Sequence, residues 1–322
     1  MKIKTSVCYN LEILCFTNIM TADQYYIKYH NGIFDKYYHF ISEKTRENIQ
    51  SLIKKQGYSM LSPTLTLLVS SLDDFNDRNI IEMLKSHFEI EDSMNKTPYS
   101  FSREKYDMYF YYFDCAIIPL INELEEAGLY SFWHESKLPQ IKEKCKEIDL
   151  YLAKYKIEHL VNQFRDFDNS DFTVYLGSFV KPHGIKICGN NILSDFSYED
   201  KIILSNLTHE VFHPAFDFKI VKNSLNKLAE KPWVKNAFNN QNPNSGYYHI
   251  DGFIEEHIVE ALGIYVLCQL GVEIDPYEYF KIHDEGSHVI SPHFYDYLNK
   301  VKKSSEMTFE EYFIEFVEQL NL

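Results

Sequence analysis

His209-Glu210-Val211-Phe212-His213, followed directly by Pro214, is the stretch that decides how this chain is read. It closes a segment in which Ile203, Leu204, Leu207 and Val211 recur at three- and four-residue steps, the spacing of a helix with one buried side. On a helix, residues four apart stand one above the other, so His209 and His213 can offer two imidazole nitrogens to a single metal ion. Glu210 lies beside that face, within reach of a water on the same ion. Two neutral nitrogen ligands, a third ligand from elsewhere and a carboxylate base are the parts a zinc hydrolase needs. Two surface histidines on an ordinary helix would give the same pentad by accident in a chain with 13 His, so the surroundings must decide. Upstream, Ser197-Tyr198-Glu199-Asp200 has the form of a capping box with Ser197 as N-cap. Downstream, Pro214 predicts that the helix ends or kinks at the second histidine.

A second helix is predicted from residue 251 to about Leu270, before Gly271, and it opens with an acidic cluster. Glu256 and Glu260 are four apart and share a face. One can complete a metal site while the other orients a ligand histidine through its free N–H. Glu256 is the preferred third ligand. Three alternatives stay open: Glu260 if the helix sits one turn deeper, Glu255 about 100° around the helix, and His257, whose imidazole is a good intrinsic zinc ligand. Without any metal, acidic residues also favour a helix N-terminus for its dipole.

Charge and cysteine usage narrow the class. The chain has 322 residues, 45% apolar, with a formal net charge of −15, so it can bury a sizeable core and repels nucleic acid and anionic membrane surfaces. No apolar run approaches the length of a membrane span. The expected partner is a peptide or protein substrate, with no nucleic acid and no membrane. Six scattered cysteines without a C-x-x-C pair read as thiols in a reducing compartment. The basic start Met1-Lys2-Ile3-Lys4 is followed by a stretch that Asn10, Glu12, Thr17 and Asn18 interrupt, which leaves no secretory signal core. A cytoplasmic location is expected, a secreted form being the weaker alternative.

The expected fold class is α+β and predominantly α-helical. Helical patterns run from Asn10 to about Phe167, with residues 61–71 ambiguous between strand and helix and residues 77–88 a clear amphipathic helix. The aromatic run Tyr106–Phe113 reads first as a helix buried on several sides, and second as the wall of a peptide cleft. Composition shifts at residues 165–171. A helical N-terminal region, 1–167, and a catalytic region, 168–322, are expected, and the two can equally form one continuous domain. Strands are expected at 172–180 and 184–188, joined by a turn at 181–184. Residues 215–231 look helical, an Asn-rich loop follows at 239–246, and short helices are expected at 276–282, 293–301 and 309–320.

A glutamate ligand on a separate helix, with an acidic residue one turn later, resembles the gluzincin metallopeptidases. The helical first half, the short strands, the H-E-x-x-H pentad and Glu255-Glu256-His257-Ile258-Val259-Glu260-Ala261 are similar to the bacterial domain family of unknown function 4932, described as predicted zinc-dependent peptidases. This chain departs from that pattern in Pro214 directly after the second histidine, and in Glu260 where a basic residue is common. The resemblance implies a zincin-like catalytic region: a small β-sheet ahead of an H-E-x-x-H active-site helix. It implies Zn²⁺ held by His209, His213 and Glu256, with Glu210 as the catalytic base. It implies that Ile185-Lys186-Ile187-Cys188 is an edge strand for the substrate backbone. It further implies an oxyanion donor from beyond the third ligand, for which His288, His283 and Tyr295 are candidates, with Tyr247 and Tyr248 ahead of it as earlier ones; His288 and Tyr248 lead. The expected function is a zinc-dependent metallopeptidase. The alternatives are a catalytically silent zincin scaffold that binds peptides or proteins, and a zinc hydrolase of non-peptide amides.

Overall fold

Helices carry most of this chain, and one four-stranded mixed sheet interrupts them, so the class is α+β. The structure, a computed structural model, describes residues 2–30, 32–165, 171–242 and 249–320. It divides into two units, each discontinuous in sequence. One gathers Ile3–Tyr151 with Asp171–Ile203, and the other gathers Met1–Lys2, Leu152–Ser170 and Leu204–Leu322.

The first unit holds the sheet. Its strands are β1 (Ile3–Ser6), β2 (Phe172–Gly177), β3 (Ile185–Ile187) and β4 (Asn191–Asp195), in the order β1-β2-β4-β3. β2 runs parallel to both β1 and β4, and β3 runs antiparallel to β4. The two strands expected to pair across the 181–184 turn are therefore separated by β4. The reason is burial: all six residues of β2 are buried, and a strand covered on both faces takes the centre of a parallel array. β3 is left at an edge. β1 carries no apolar run, since Lys4, Thr5 and Ser6 fill most of its four positions, and it was not legible as a strand.

Helix Tyr9–Met20 runs through this unit with every residue after Tyr9 buried, including the charged Glu12 at 1% exposure. A buried carboxylate needs donors. Glu12 accepts hydrogen bonds from Trp133 Nε1 at 2.8 Å, Ser178 N at 2.8 Å, Ser178 Oγ at 3.0 Å and Phe179 N at 3.2 Å. Burial pushes its carboxyl up to about 7, with the Trp133 and Ser178 donors pulling the other way. Gly177 makes room for this contact: a Cβ there would lie 3.1 Å from Glu12 Oε2 and 2.8 Å from Val180 Cγ2. Residues 62–70 resolve as a helix. The predicted 77–88 helix breaks at Ser86 into Ile80–Lys85 and His87–Met94. In the aromatic run, Tyr106, Tyr109, Phe110, Tyr112 and Phe113 are buried and Tyr111 is exposed, the pattern of a core helix.

The second unit is helical. Lys222–Ala229, Pro232–Asn240, Ile250–Gln269, Pro276–Ile282, Ser291–Lys300 and Phe309–Gln319 pack with the residues from Leu204 onward. Phe164 anchors it, its ring 6.4 Å from Phe212 and Phe309 and 5.7 Å from Tyr265. Residues 215–221, expected to be helical, are irregular. Asp217 accepts a side-chain hydrogen bond from Lys219 N, its own amide donates to Glu310, and Ile220 N and Val221 N close a single turn on Asp217 O, so the segment makes one capped turn rather than a continuous helix. Among the described residues, no helix is long and apolar enough to cross a membrane.

Candidate metal centre

The pentad sits at the end of helix Asp200–Glu210, and that end decides how the second histidine is held. The helix begins at Asp200; Ser197, expected as its N-cap, turns its hydroxyl to Asp195 Oδ1 at 2.5 Å. It stops at Glu210, three residues earlier than the expected end at His213. Phe212 N donates to His209 O at 3.0 Å and His213 N to Glu210 O at 3.3 Å, both three-residue steps of a tightened last turn. His209 is thus helix-borne and His213 is not. Two side chains hold the residues around His213. The Arg165 guanidinium donates to the carbonyls of Val211 and His213, the latter at 2.9 Å. Glu255 Oε1 accepts from Ala215 N at 2.9 Å and faces His213 Nδ1 at 3.2 Å.

Helix Ile250–Gln269 brings the acidic residues. It approaches the first helix at Gly263, where a Cβ would lie 3.3 Å from His209 Cα, His209 N and Thr208 O. Glu256, Glu260 and Gly263 are spaced by four and three, so one face of this helix presents two carboxylates and then lets the backbones close.

The result is a compact donor set. His209 Nε2 and His213 Nε2 are 3.2 Å apart. Glu256 Oε1 lies 3.1 Å from His209 Nε2, and Glu256 Oε2 lies 3.5 Å from His213 Nε2. A tetrahedral ion with bonds of ~2.0–2.1 Å asks for ligand atoms about 3.3 Å apart. These three residues form the group of ligand type whose atoms lie within 4.8 Å of one another among the described residues. The outer nitrogens are also committed. His209 Nδ1 meets Glu260 Oε2 at 2.7 Å, and His213 Nδ1 meets Glu255 Oε1 at 3.2 Å. Each carboxylate is placed to accept from Nδ1 of its imidazole and so turns Nε2 inward.

The charges point the same way. Burial alone would hold down the His209 and His213 pKa values. The carboxylates of Glu256 and Glu260 outweigh it at His209, which is raised well above the ordinary range. Glu255 and Glu256 outweigh it at His213, raised to about 10. Burial would likewise lift the carboxyls, but the two imidazoles hold Glu256 well below the usual range and His209 chiefly lowers Glu260 to about 2. Three carboxylates around two imidazoles form a buried negative cluster, which is balanced either by extra protons or by a cation.

The remaining candidates separate. Glu210, 9% exposed, ends the first helix between the two histidines in sequence. His257 is buried with its ring 4.2 Å from Phe253 and 5.0 Å from His288, outside the ligand group. His288 is itself 2% exposed and packs 5.3 Å from His283; both rings bear on Glu260, helping to lower it. The structure brings His288 to the Glu260 side of the site and not into the donor set. Tyr295 lies among Tyr265, Tyr277 and Phe280. Tyr247 and Tyr248 fall outside the described residues. The sequence offered no signal for Arg165. In the sequence Glu255 reads only as an alternative ligand; in the structure it is the partner of His213. Gly263 did leave a trace, because a glycine inside an apolar helix marks a close approach.

The chain matches no protein-family model, no curated protein and no solved structure.

Proposed function

We propose that this chain is a zinc-dependent metallopeptidase of the gluzincin kind, with a zincin-like catalytic region built on the H-E-x-x-H pentad. The observation that carries the reading is the donor triangle of His209 Nε2, His213 Nε2 and Glu256, with edges of 3.1, 3.2 and 3.5 Å. Both outer nitrogens are tied to carboxylates, as ligand imidazoles require. Two imidazoles and one carboxylate suit zinc, and a three-ligand set leaves a position open for substrate. When bound there, zinc polarises a carbonyl and brings the pKa of water down toward ~7. The chain's own residues do the rest. Glu210 takes a proton from the attacking water as the oxygen–carbon bond forms at the peptide carbonyl. It then delivers that proton to the amide nitrogen as the carbon–nitrogen bond breaks, so no net proton is left behind. Glu255 and Glu260 keep the imidazoles oriented throughout. The scattered free cysteines favour a reducing compartment for this chemistry.

The test is metal content of the purified chain beside His213→Ala, followed by a peptide-substrate screen with Glu210→Gln as control. One zinc per chain in wild type, its loss in His213→Ala, and a Glu210→Gln protein that keeps zinc but loses roughly 10²–10⁴-fold in turnover are expected. A folded wild type that takes up no zinc from a zinc-containing buffer would overturn the reading.

A further inference from the structure

A second site lies in the unit that holds the sheet, and it does not depend on the metal centre. An open cavity of about 810 Å³ lies between the end of helix Glu43–Gln56 and helix Arg103–Tyr112. We infer that it is a binding site for a small aromatic monoanion, a planar ring carrying one carboxylate. The accessible rings are those of the half-buried Tyr58 and the exposed Tyr111, which line the cavity with the thioether of Met108, while the buried Tyr109 and Tyr112 close its floor. Two of these rings are fixed from behind. Tyr109 donates its hydroxyl to Gln56 Oε1 at 3.0 Å, and the Tyr112 hydroxyl is 2.8 Å from Ser51 Oγ. They make a rigid floor behind Tyr58 and Tyr111, so a flat ring stacking on those two needs little reordering of the site. The volume is in the range of small-molecule sites, ~300–1,000 Å³.

The charges choose the ligand. Lys55 and Lys105 both line the cavity, and neither has a carboxylate within 4.0 Å among the described residues. In a chain with 47 acidic and 32 basic residues, two such ammonium groups at one cavity run against the average charge. Lys105 is half-buried, with Nζ 3.8 Å above the Phe101 ring, and burial lowers its pKa. A carboxylate placed beside it would offset that loss of solvation with a charge-assisted hydrogen bond. Glu104 also lines the cavity. Two lysines and one glutamate leave a local charge of about +1, which matches a monoanion and opposes a cation.

The experiment titrates the full chain with three probes of matched size: 4-hydroxyphenylacetate, tyramine and cyclohexylacetate. Binding is read by calorimetry and by saturation transfer to the ligand protons. Saturable one-to-one binding of 4-hydroxyphenylacetate is expected, at least tenfold tighter than either tyramine, which has the wrong charge, or cyclohexylacetate, which lacks the flat ring. Lys105→Gln and the exposed Tyr111→Ala, each verified as folded by circular dichroism, should each weaken that binding at least fivefold. No saturable binding of 4-hydroxyphenylacetate at millimolar concentration overturns the inference. So does equal binding of tyramine, or binding that neither variant changes.

Discussion

Zinc uptake by this chain should release protons, and the donor geometry sets how many. In the metal-free site the Nδ1 atoms of His209 and His213 face Glu260 and Glu255, so each holds one proton whether or not a metal is bound. On the inner side, two bare Nε2 lone pairs 3.2 Å apart would oppose each other and the Glu256 carboxylate 3.1 Å from His209. At least one further proton must sit among those atoms. Both imidazoles are raised, His213 to about 10, so at neutral pH the inner side carries about one to two protons that a metal must displace. The sign follows from the direction of the shift. A histidine raised above its ordinary 6.5 stabilises the metal-free fold fully below that value and loses the contribution only as pH rises through about 10. At pH 7 zinc therefore still competes with protons, and its affinity should fall roughly tenfold to hundredfold from pH 7 to pH 6, or about 1.4–2.8 kcal/mol. Calorimetric titration in buffers of different protonation enthalpy gives the proton count, and chelator competition at each pH gives the affinity. Stoichiometric zinc binding with no net proton release and a flat affinity between pH 6 and 8 would refute the reasoning.

Other outcomes follow from single contacts. Arg165→Met removes the donor to the Val211 and His213 carbonyls and should weaken zinc about 10–100-fold with the helical signal unchanged; wild-type affinity in a chelator competition would remove Arg165 from that role. Gly263→Ala forces a methyl to 3.3 Å from the backbone of His209 and Thr208 and should cost about 1–3 kcal/mol in denaturant unfolding, together with metal affinity. Gly252→Ala, in the same helix with open space at its Cβ, is the control and should be neutral or stabilising by about 0.5–1 kcal/mol; equal losses in both variants would dismiss the helix contact. Glu12, raised from 4.5 to about 7, binds its proton more tightly in the fold than in the unfolded chain, so its contribution is fully present below 4.5 and is lost as pH rises through about 7. That amounts to roughly 3 kcal/mol, and the pH dependence of unfolding between pH 5 and 8 should be flatter in Glu12→Gln than in wild type by about that much.

Most helices of the second unit were legible because their periodicity and their caps are local properties; Pro232–Asn240 was not expected, and its last residues overlap the Asn-rich loop read at 239–246. Helix Ile250–Gln269 was placed to within a residue at each end, and Phe309–Gln319 to within one at its close. The central strand β2 was legible too, as a dense apolar run. Its neighbours were not, because pairing is a long-range fact: β1 lies 166 residues from the start of β2 and carries almost no apolar side chain. The site divides along the same line. The residue types of the donor set show in the sequence, since His-Glu-x-x-His and a glutamate cluster are rare together. The support for His213 does not show, because it replaces a ladder that the sequence led one to expect. Pro214 announced that the helix would stop, and an early stop leaves the second histidine on a turn whose carbonyls need other partners. Those partners come from Arg165 and Glu255, 48 and 42 residues from His213. A pentad interrupted by proline therefore asks a structural question that no spacing rule answers: which distant side chains keep the second imidazole in place. Here an arginine holds the carbonyls and a glutamate holds the ring, and the first can be removed without touching a donor atom. That makes the arginine the cleaner probe of whether the preorganised turn, rather than the donors alone, sets the affinity of the site.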